Sequence, residues 1–210
     1  MTGAQVLLSD SPDVLVPPRG CVEVHAALVS KDGRGVVIVG PNYAGKSTLA
    51  TALWCRGWSL LCDDIVFLKS ATLRASPAQR RVQLRETSRE LVGEAVWKAV
   101  QGTPSCSPTD EGLLFHPHEV RGDKPPNDTA LKAIVFLERR GIQVGPAEGR
   151  AINPARAAVA LFPYAFNLRD KPFIDGMRVI APITAAVPSY DLGRGDLSSM
   201  VSAVEEAIDA

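Results

Sequence analysis

The segment Gly40-Pro41-Asn42-Tyr43-Ala44-Gly45-Lys46-Ser47 constrains this chain more than any other, because it fits G-x-x-x-x-G-K-[ST] and has the flanks that pattern requires. Gly35-Val36-Val37-Ile38-Val39 before it is a short β-branched run that reads as a buried strand. Ser47-Thr48-Leu49-Ala50-Thr51-Ala52-Leu53-Trp54 after it reads as a helix. Glycine lets the backbone curl so that successive N–H groups point inward at phosphate oxygens. The helix N-terminus adds its partial positive charge. In such a loop Gly40, Asn42, Tyr43, Ala44, Gly45, Lys46, Ser47 and Thr48 surround the phosphates. Lys46 is placed for the β- and γ-phosphates and the Ser47 hydroxyl for Mg2+. The ligand expected is a nucleoside triphosphate, ATP with Mg2+.

The rest of the chain allows that reading. At 210 residues, one α/β domain spanning 1–210 is the expectation. Lys+Arg and Asp+Glu balance at 23 each, so no basic surface calls for nucleic acid or an anionic membrane. No apolar run approaches the roughly 18 residues of a membrane span. Cys21, Cys55, Cys62 and Cys106 show no CxxC spacing, and Cys55 and Cys62 read as buried small hydrophobes. The first residues carry no basic stretch followed by an apolar one, so a reduced cytoplasmic compartment is expected.

Along the chain, Val6-Leu7-Leu8 is strand-like, and Pro17-Pro18 marks a turn. A strand through Val22–Val29 should pair through an Asp32-Gly33 hairpin turn with the strand entering the loop. The helix after the loop should bury Leu49 and Leu53 and close at Gly57. Trp58 to Lys69 reads as a strand into Asp63, a tight bend and a second strand. From Gln83 to Val100 the spacing predicts a helix with Leu84, Thr87, Leu91, Ala95 and Val96 near one face. Residues 101–129 read mostly as loop. Ala133–Leu137 is a buried strand, Ala155–Leu161 a short helix, Ala186–Leu192 a final strand region and Leu197–Ile208 an amphipathic helix.

A phosphate loop says what is bound, not what is done with it. Asp63-Asp64 follow Lys46 by 17 and 18 residues at the end of an apolar run. One carboxylate there can hold the Mg2+ that bridges phosphates, and its neighbour can take a proton from an attacking hydroxyl. Two adjacent acids crowd their charges and raise one pKa unless a cation offsets the repulsion. His25, on a neighbouring strand, can be brought near the phosphates by the hairpin.

Taken together, His25-Ala26-Ala27-Leu28-Val29, Gly35–Gly40, the loop, Arg56-Gly57 and Leu60-Leu61-Cys62-Asp63-Asp64 resemble the catalytic core of HPr kinase/phosphorylase. The resemblance is specific over roughly residues 22–69 and continues weakly at Val187–Leu192. It implies a P-loop kinase core of the HPr kinase and phosphoenolpyruvate carboxykinase type, a mixed β-sheet flanked by helices. It also implies transfer of a γ-phosphoryl group to a serine-type hydroxyl on a protein, peptide or small molecule, with a homo-oligomer as the allowed assembly. Carried over, Lys46 and Ser47 hold phosphates and metal, Asp63 is the base, Asp64 lies nearer the metal and His25 lies by the phosphates.

The departures are specific. Pro41-Asn42-Tyr43-Ala44 stands where that family carries Asp-Ser-Gly-Val or similar, and Thr48 stands where it has an acidic residue. The glycine-rich signature tied to the reverse reaction has no counterpart. The chain is more similar to the shorter HPr-kinase-related proteins, some of which act in peptide modification. Beside the kinase stand two alternatives: a nucleotide-binding regulatory module with little transfer, and a small-molecule hydroxyl kinase.

Other groups read as structural. His116, His118 and Glu119 in a proline-containing loop are a surface feature before they are a metal site. Arg121 and Arg139-Arg140 read as solvated arginines, although any of them could neutralise phosphate charge. Trp54, Trp58 and Trp97 suit the core.

Overall fold

The computed structural model describes residues 20–78, 81–122, 126–137, 146–193 and 195–209. The expectations for Val6-Leu7-Leu8, Pro17-Pro18 and Arg139-Arg140 lie outside the described residues.

Strands β1 (Cys21–Lys31) and β2 (Arg34–Val39) form an antiparallel hairpin in register from Lys31–Arg34 to Ala26–Val39. Asp32 and Gly33 at its tip have φ of 53° and 74°, the pair of positive values that a two-residue type I′ connection demands. Helix α1 (Lys46–Cys55) follows the loop and buries Leu49, Leu53 and Trp54. It closes as expected at Gly57, whose N–H donates to the Trp54 carbonyl while that of Trp58 reaches back to Leu53, both bonds of a Schellman motif.

The other edge of β1 carries two short strands end to end. β3 (Ser59–Cys62) pairs with its second half and β4 (Ile65–Lys69) with its first. β5 (Arg74–Pro77) adds to β4 and also touches the start of β9 (Thr129–Leu137), curling that end of the sheet back on itself. β9 runs parallel to β2, β11 (Ser189–Leu192) parallel to β9, and β10 (Gly149–Ile152) antiparallel to β11. The result is an eight-stranded mixed sheet, in the order β10-β11-β9-β2-β1-β4-β5 with β3 beside β1.

Both faces of the centre are covered, which is why β2 and β9 read as continuous apolar runs rather than as alternation. Val36 and Ile38 pack with α1, α2 (Arg89–Gln101) and α6 (Leu197–Asp209). Val37 and Val39 face the other way, onto α4 (Pro154–Leu161) and α5 (Phe173–Ala186). The fold is thus α/β with a mixed sheet flanked by helices.

Three expectations need correction. The helix predicted from Gln83 starts only at Arg89; before it come a strand, β6 (Val82–Arg85), and a single 3-10 turn. Val82 and Leu84 point inward and Gln83 and Arg85 outward, a two-residue period that a helical template also accepts over so short a span. The stretch read as loop holds β7 (Ser107–Thr109), β8 (Gly112–Phe115) and α3 (Pro117–Arg121), and β6-β8-β7 make a separate three-stranded sheet. Cys55, at the last position of α1, is exposed rather than buried, while Cys62 is buried as expected.

Candidate active site

The phosphate loop begins where β2 ends. A Cβ on Gly40 would stand 3.1 Å from both the Cβ and the carbonyl oxygen of Leu137, the last residue of β9, so a side chain there would push the loop and β9 apart by a few tenths of an ångström. The Ala44 N–H donates to the Pro41 carbonyl at 3.1 Å and tightens the turn. Gly45 enters α1 at φ 100°, a left-handed backbone. No side chain caps that helix and no acidic residue occupies its first turn, which leaves its N–H groups for an anion. Lys46 is 6% exposed. Its Nζ donates to the carbonyls of Gly40 (2.9 Å) and Pro41 (3.2 Å), stringing the ammonium across the loop. Burial pulls the pKa of Lys46 down, and the charges of Asp64 and Asp63 pull it back up. Asn42, Tyr43 and Thr48 are exposed and Ser47 is partly buried.

Tyr43 departs from the rest of the loop. It is 68% exposed and holds φ 64°, a conformation that costs a side-chain-bearing residue roughly 1–2 kcal/mol. This is the position at which the resembling family carries glycine.

The acid pair lies, as expected, in a bend between two strands, β3 ending at Cys62 and β4 starting at Ile65. Leu28 faces Cys62 on one side of the bend and His25 faces Ile65 on the other, and the Ala26 N–H donates to the Asp64 carbonyl at 3.0 Å, which holds the bend against β1. The Asp63 carboxyl is pushed up to about 6, first by burial and then by the Asp64 charge, with the backbone N–H of Gln83 and the charge of Arg85 opposing. The Asp64 carboxylate is more open, and its Oδ1 lies 3.2 Å from Nδ1 of His25. His25 lies against the acid pair, because the β1–β4 register sets it opposite Ile65. The ring of Phe166 packs edge-on against His25 at 5.7 Å between centroids.

The position of Phe166 has a backbone cause. Beyond Ala26, β1 has lost β2 as a neighbour, because the chain has turned off into the loop. That bare edge is covered by a bridge between Val24 and Ala165. The Asn167 amide completes it, accepting from the Glu23 N–H (3.1 Å) and donating to the Cys21 carbonyl (2.8 Å). These partners lie 144 and 146 residues apart, so no local sequence signal announces them.

Gln83 and Arg85 also went unseen. Both face outward from β6, and the only available signal was the alternation in Val82-Gln83-Leu84-Arg85. The remaining groups behave as structural. The Arg121 guanidinium donates to the Trp54 carbonyl at the far end of α1 and lies over the Trp54 ring. Glu119 accepts from the Ser105 N–H (3.1 Å) and hydroxyl (2.6 Å), and burial lowers the pKa of His116. Among the described residues no group of three or more His, Cys, Asp or Glu side chains is arranged to hold a metal ion. Trp54, Trp58 and Trp97 are core residues. No helix of the described residues is long and apolar enough to cross a membrane.

Magnesium at a phosphate site takes one or two protein oxygens and completes its shell with phosphate and water. The donors here are all oxygen: the Ser47 hydroxyl and the carboxylates. Burial first and the Asp64 charge second lift Asp63, and the second of these is what a divalent cation would relieve. The residues present fit the ion.

Comparisons with known proteins touch this same region. The model of the family described as SynChlorMet cassette protein ScmC matches residues 15–89, a stretch that contains the loop, the acid pair, Gln83 and Arg85. No curated protein matches the chain. Among solved structures, the Hpr(Ser) kinase/phosphatase from Coxiella burnetii is similar at 16% identity, covering 88% of this chain and 88% of that one, with a TM-score of 0.48.

Proposed function

We propose that the chain is a kinase that transfers the γ-phosphoryl group of ATP to the hydroxyl of an acceptor. One observation carries the reading: a partly buried carboxyl, Asp63, is held in the bend between β3 and β4, near the phosphate-loop lysine, and its pKa is raised to about 6, near the working pH of a general base. A protein that only senses a nucleotide has no use for such a group.

The roles follow from position. The amides at the start of α1 and the Lys46 ammonium bind and orient the phosphates. Ser47 and Asp64 would hold magnesium, which when bound neutralises charge on the phosphate oxygens. Asp63 accepts the acceptor's hydroxyl proton as that oxygen bonds to phosphorus and the bond to the leaving ADP breaks. His25, with Nδ1 3.2 Å from Asp64 Oδ1, orients that carboxylate; it is a positioning residue. The acceptor is a serine-type hydroxyl on a protein, a peptide or a small molecule.

The strained Tyr43 favours a second reading, a regulatory module that binds nucleotide and transfers little. Both readings are tested by incubating the protein with γ-labelled ATP and a panel of peptides, small phosphocarrier proteins and free serine. The kinase labels one of them, Lys46→Ala abolishes labelling, and Asp63→Asn keeps nucleotide binding without transfer. Nucleotide binding with no labelled acceptor favours the module.

A further inference from the structure

The geometry points to Arg85 as the residue that engages the terminal phosphate of a bound triphosphate, supplied in cis from the small β6-β8-β7 sheet. This rests on the nucleotide reading above and adds a phosphate-binding residue that lies outside the loop.

The argument is one of position. A transferring phosphoryl group must lie between the loop that holds it and the base that activates the acceptor. Arg85 borders both. Its guanidinium carbon stands 5.8 Å from the ring centre of Tyr43, the third residue inside the loop. Two residues earlier in β6, the Gln83 backbone N–H acts on the Asp63 carboxylate, and so does the Arg85 charge. The arginine therefore lies against the loop and within electrostatic reach of the base.

It is also loosely neutralised. Its ion pair is with Glu111, at 3.7 Å between Nε and Oε2, and both side chains are about half exposed or more, 48% and 65%. Compare Arg89, whose guanidinium holds Glu86 and Glu94 at 3.0 Å each. A planar guanidinium with a weak partner can exchange it for phosphate oxygens, which it binds in a fork. The aromatic ring of Tyr43 gives the cation a resting place meanwhile, worth about 0.5–1 kcal/mol at an exposed site. This also gives the strained tyrosine a role, since glycine at that position would leave Arg85 with no ring to lie on.

The test compares binding of Mg-ADP with that of the magnesium complex of the β,γ-imido analogue of ATP, by calorimetry, on the full chain. For Arg85→Ala the expectation is a loss of at least tenfold in affinity for the triphosphate analogue, with ADP affinity within threefold of wild type. Arg85→Lys recovers part of the loss. Glu111→Gln, which releases the arginine, holds or raises the analogue affinity, a result that no folding defect produces. Equal effects on both nucleotides, or no effect on either, overturn the role of Arg85 while the loop reading stands. Wild type that binds neither nucleotide overturns both, and loss of both ligands in Lys46→Ala alone marks the loop as the site.

Discussion

Nδ1 of His25 stands 3.2 Å from Oδ1 of Asp64, joining the first strand of the sheet to an acid pair that interrupts the strand beside it. If Asp64 holds magnesium, this histidine is an outer partner of the metal site. His25→Ala then costs roughly 10- to 100-fold in magnesium affinity or rate. Raising magnesium recovers much of the rate in that variant, and nucleotide affinity at saturating magnesium stays near wild type. A defect that magnesium leaves untouched assigns His25 to packing against Phe166 instead.

Asp63 sets the pH dependence. A general base must be ionised, and burial together with the Asp64 charge lifts this carboxyl to about 6. Transfer therefore rises with pH and levels off, its midpoint at or below about 6 because bound magnesium offsets the Asp64 charge. A rate that falls as pH rises toward 8 removes Asp63 from the role of base.

The same shift acts on stability with the opposite sign. The folded chain holds the Asp63 proton more tightly than the unfolded chain, whose carboxyl keeps its ordinary value of 3.8. The resulting stabilisation is full below about pH 4 and is lost as pH climbs through 6. Asp63→Asn cannot ionise, so in magnesium-free buffer it exceeds wild type above pH 6 by up to about 3 kcal/mol, roughly two units at 1.36 kcal/mol each. Urea denaturation at pH 4 and pH 8 reads the difference, which should vanish at the lower pH.

Tyr43 at φ 64° predicts an order among substitutions. Tyr43→Gly is more stable than Tyr43→Ala by about 1 kcal/mol, because both remove the ring but only glycine takes that backbone without strain. Thermal melts of the two variants measure it. Equal stability means that the loop relaxes its backbone once the ring is gone.

Asn167 predicts a loss of stability far from any acceptor. Asn167→Ala leaves the Glu23 N–H and the Cys21 carbonyl without their partner on the bare edge of β1. Each buried orphan costs about 1–3 kcal/mol. Denaturant midpoints should fall accordingly, and Phe166 should loosen against His25, which the histidine's NMR shifts report.

What could be read from the chain is what neighbouring residues determine. The loop, the Asp32-Gly33 hairpin and the Gly57 helix stop rest on turn chemistry within a few positions, and each occurs where expected. The β9 strand and α6 follow from uniform or periodic hydrophobicity. β6 was lost because four residues of alternation fit inside a helical pattern. Helix α5 escaped because Pro182 sits inside it and breaks the expected signal. The acid pair and the bend that holds it were found by spacing, but the contact of His25 with Asp64 follows from pairing with β1, which no local signal gives. Arg85 was out of reach, since only folding of the second sheet brings it to the loop.

The central claim is that Asp63 takes the acceptor's proton beside a loop that holds ATP. The most direct measurement is labelled-phosphate transfer across the acceptor panel by wild type and Asp63→Asn, with ATP affinity measured on both. The account predicts that both bind ATP within about threefold of each other and that the variant transfers at least 100-fold more slowly, the usual size of a general-base contribution. Equal transfer by the two proteins, at equal ATP affinity, would contradict it.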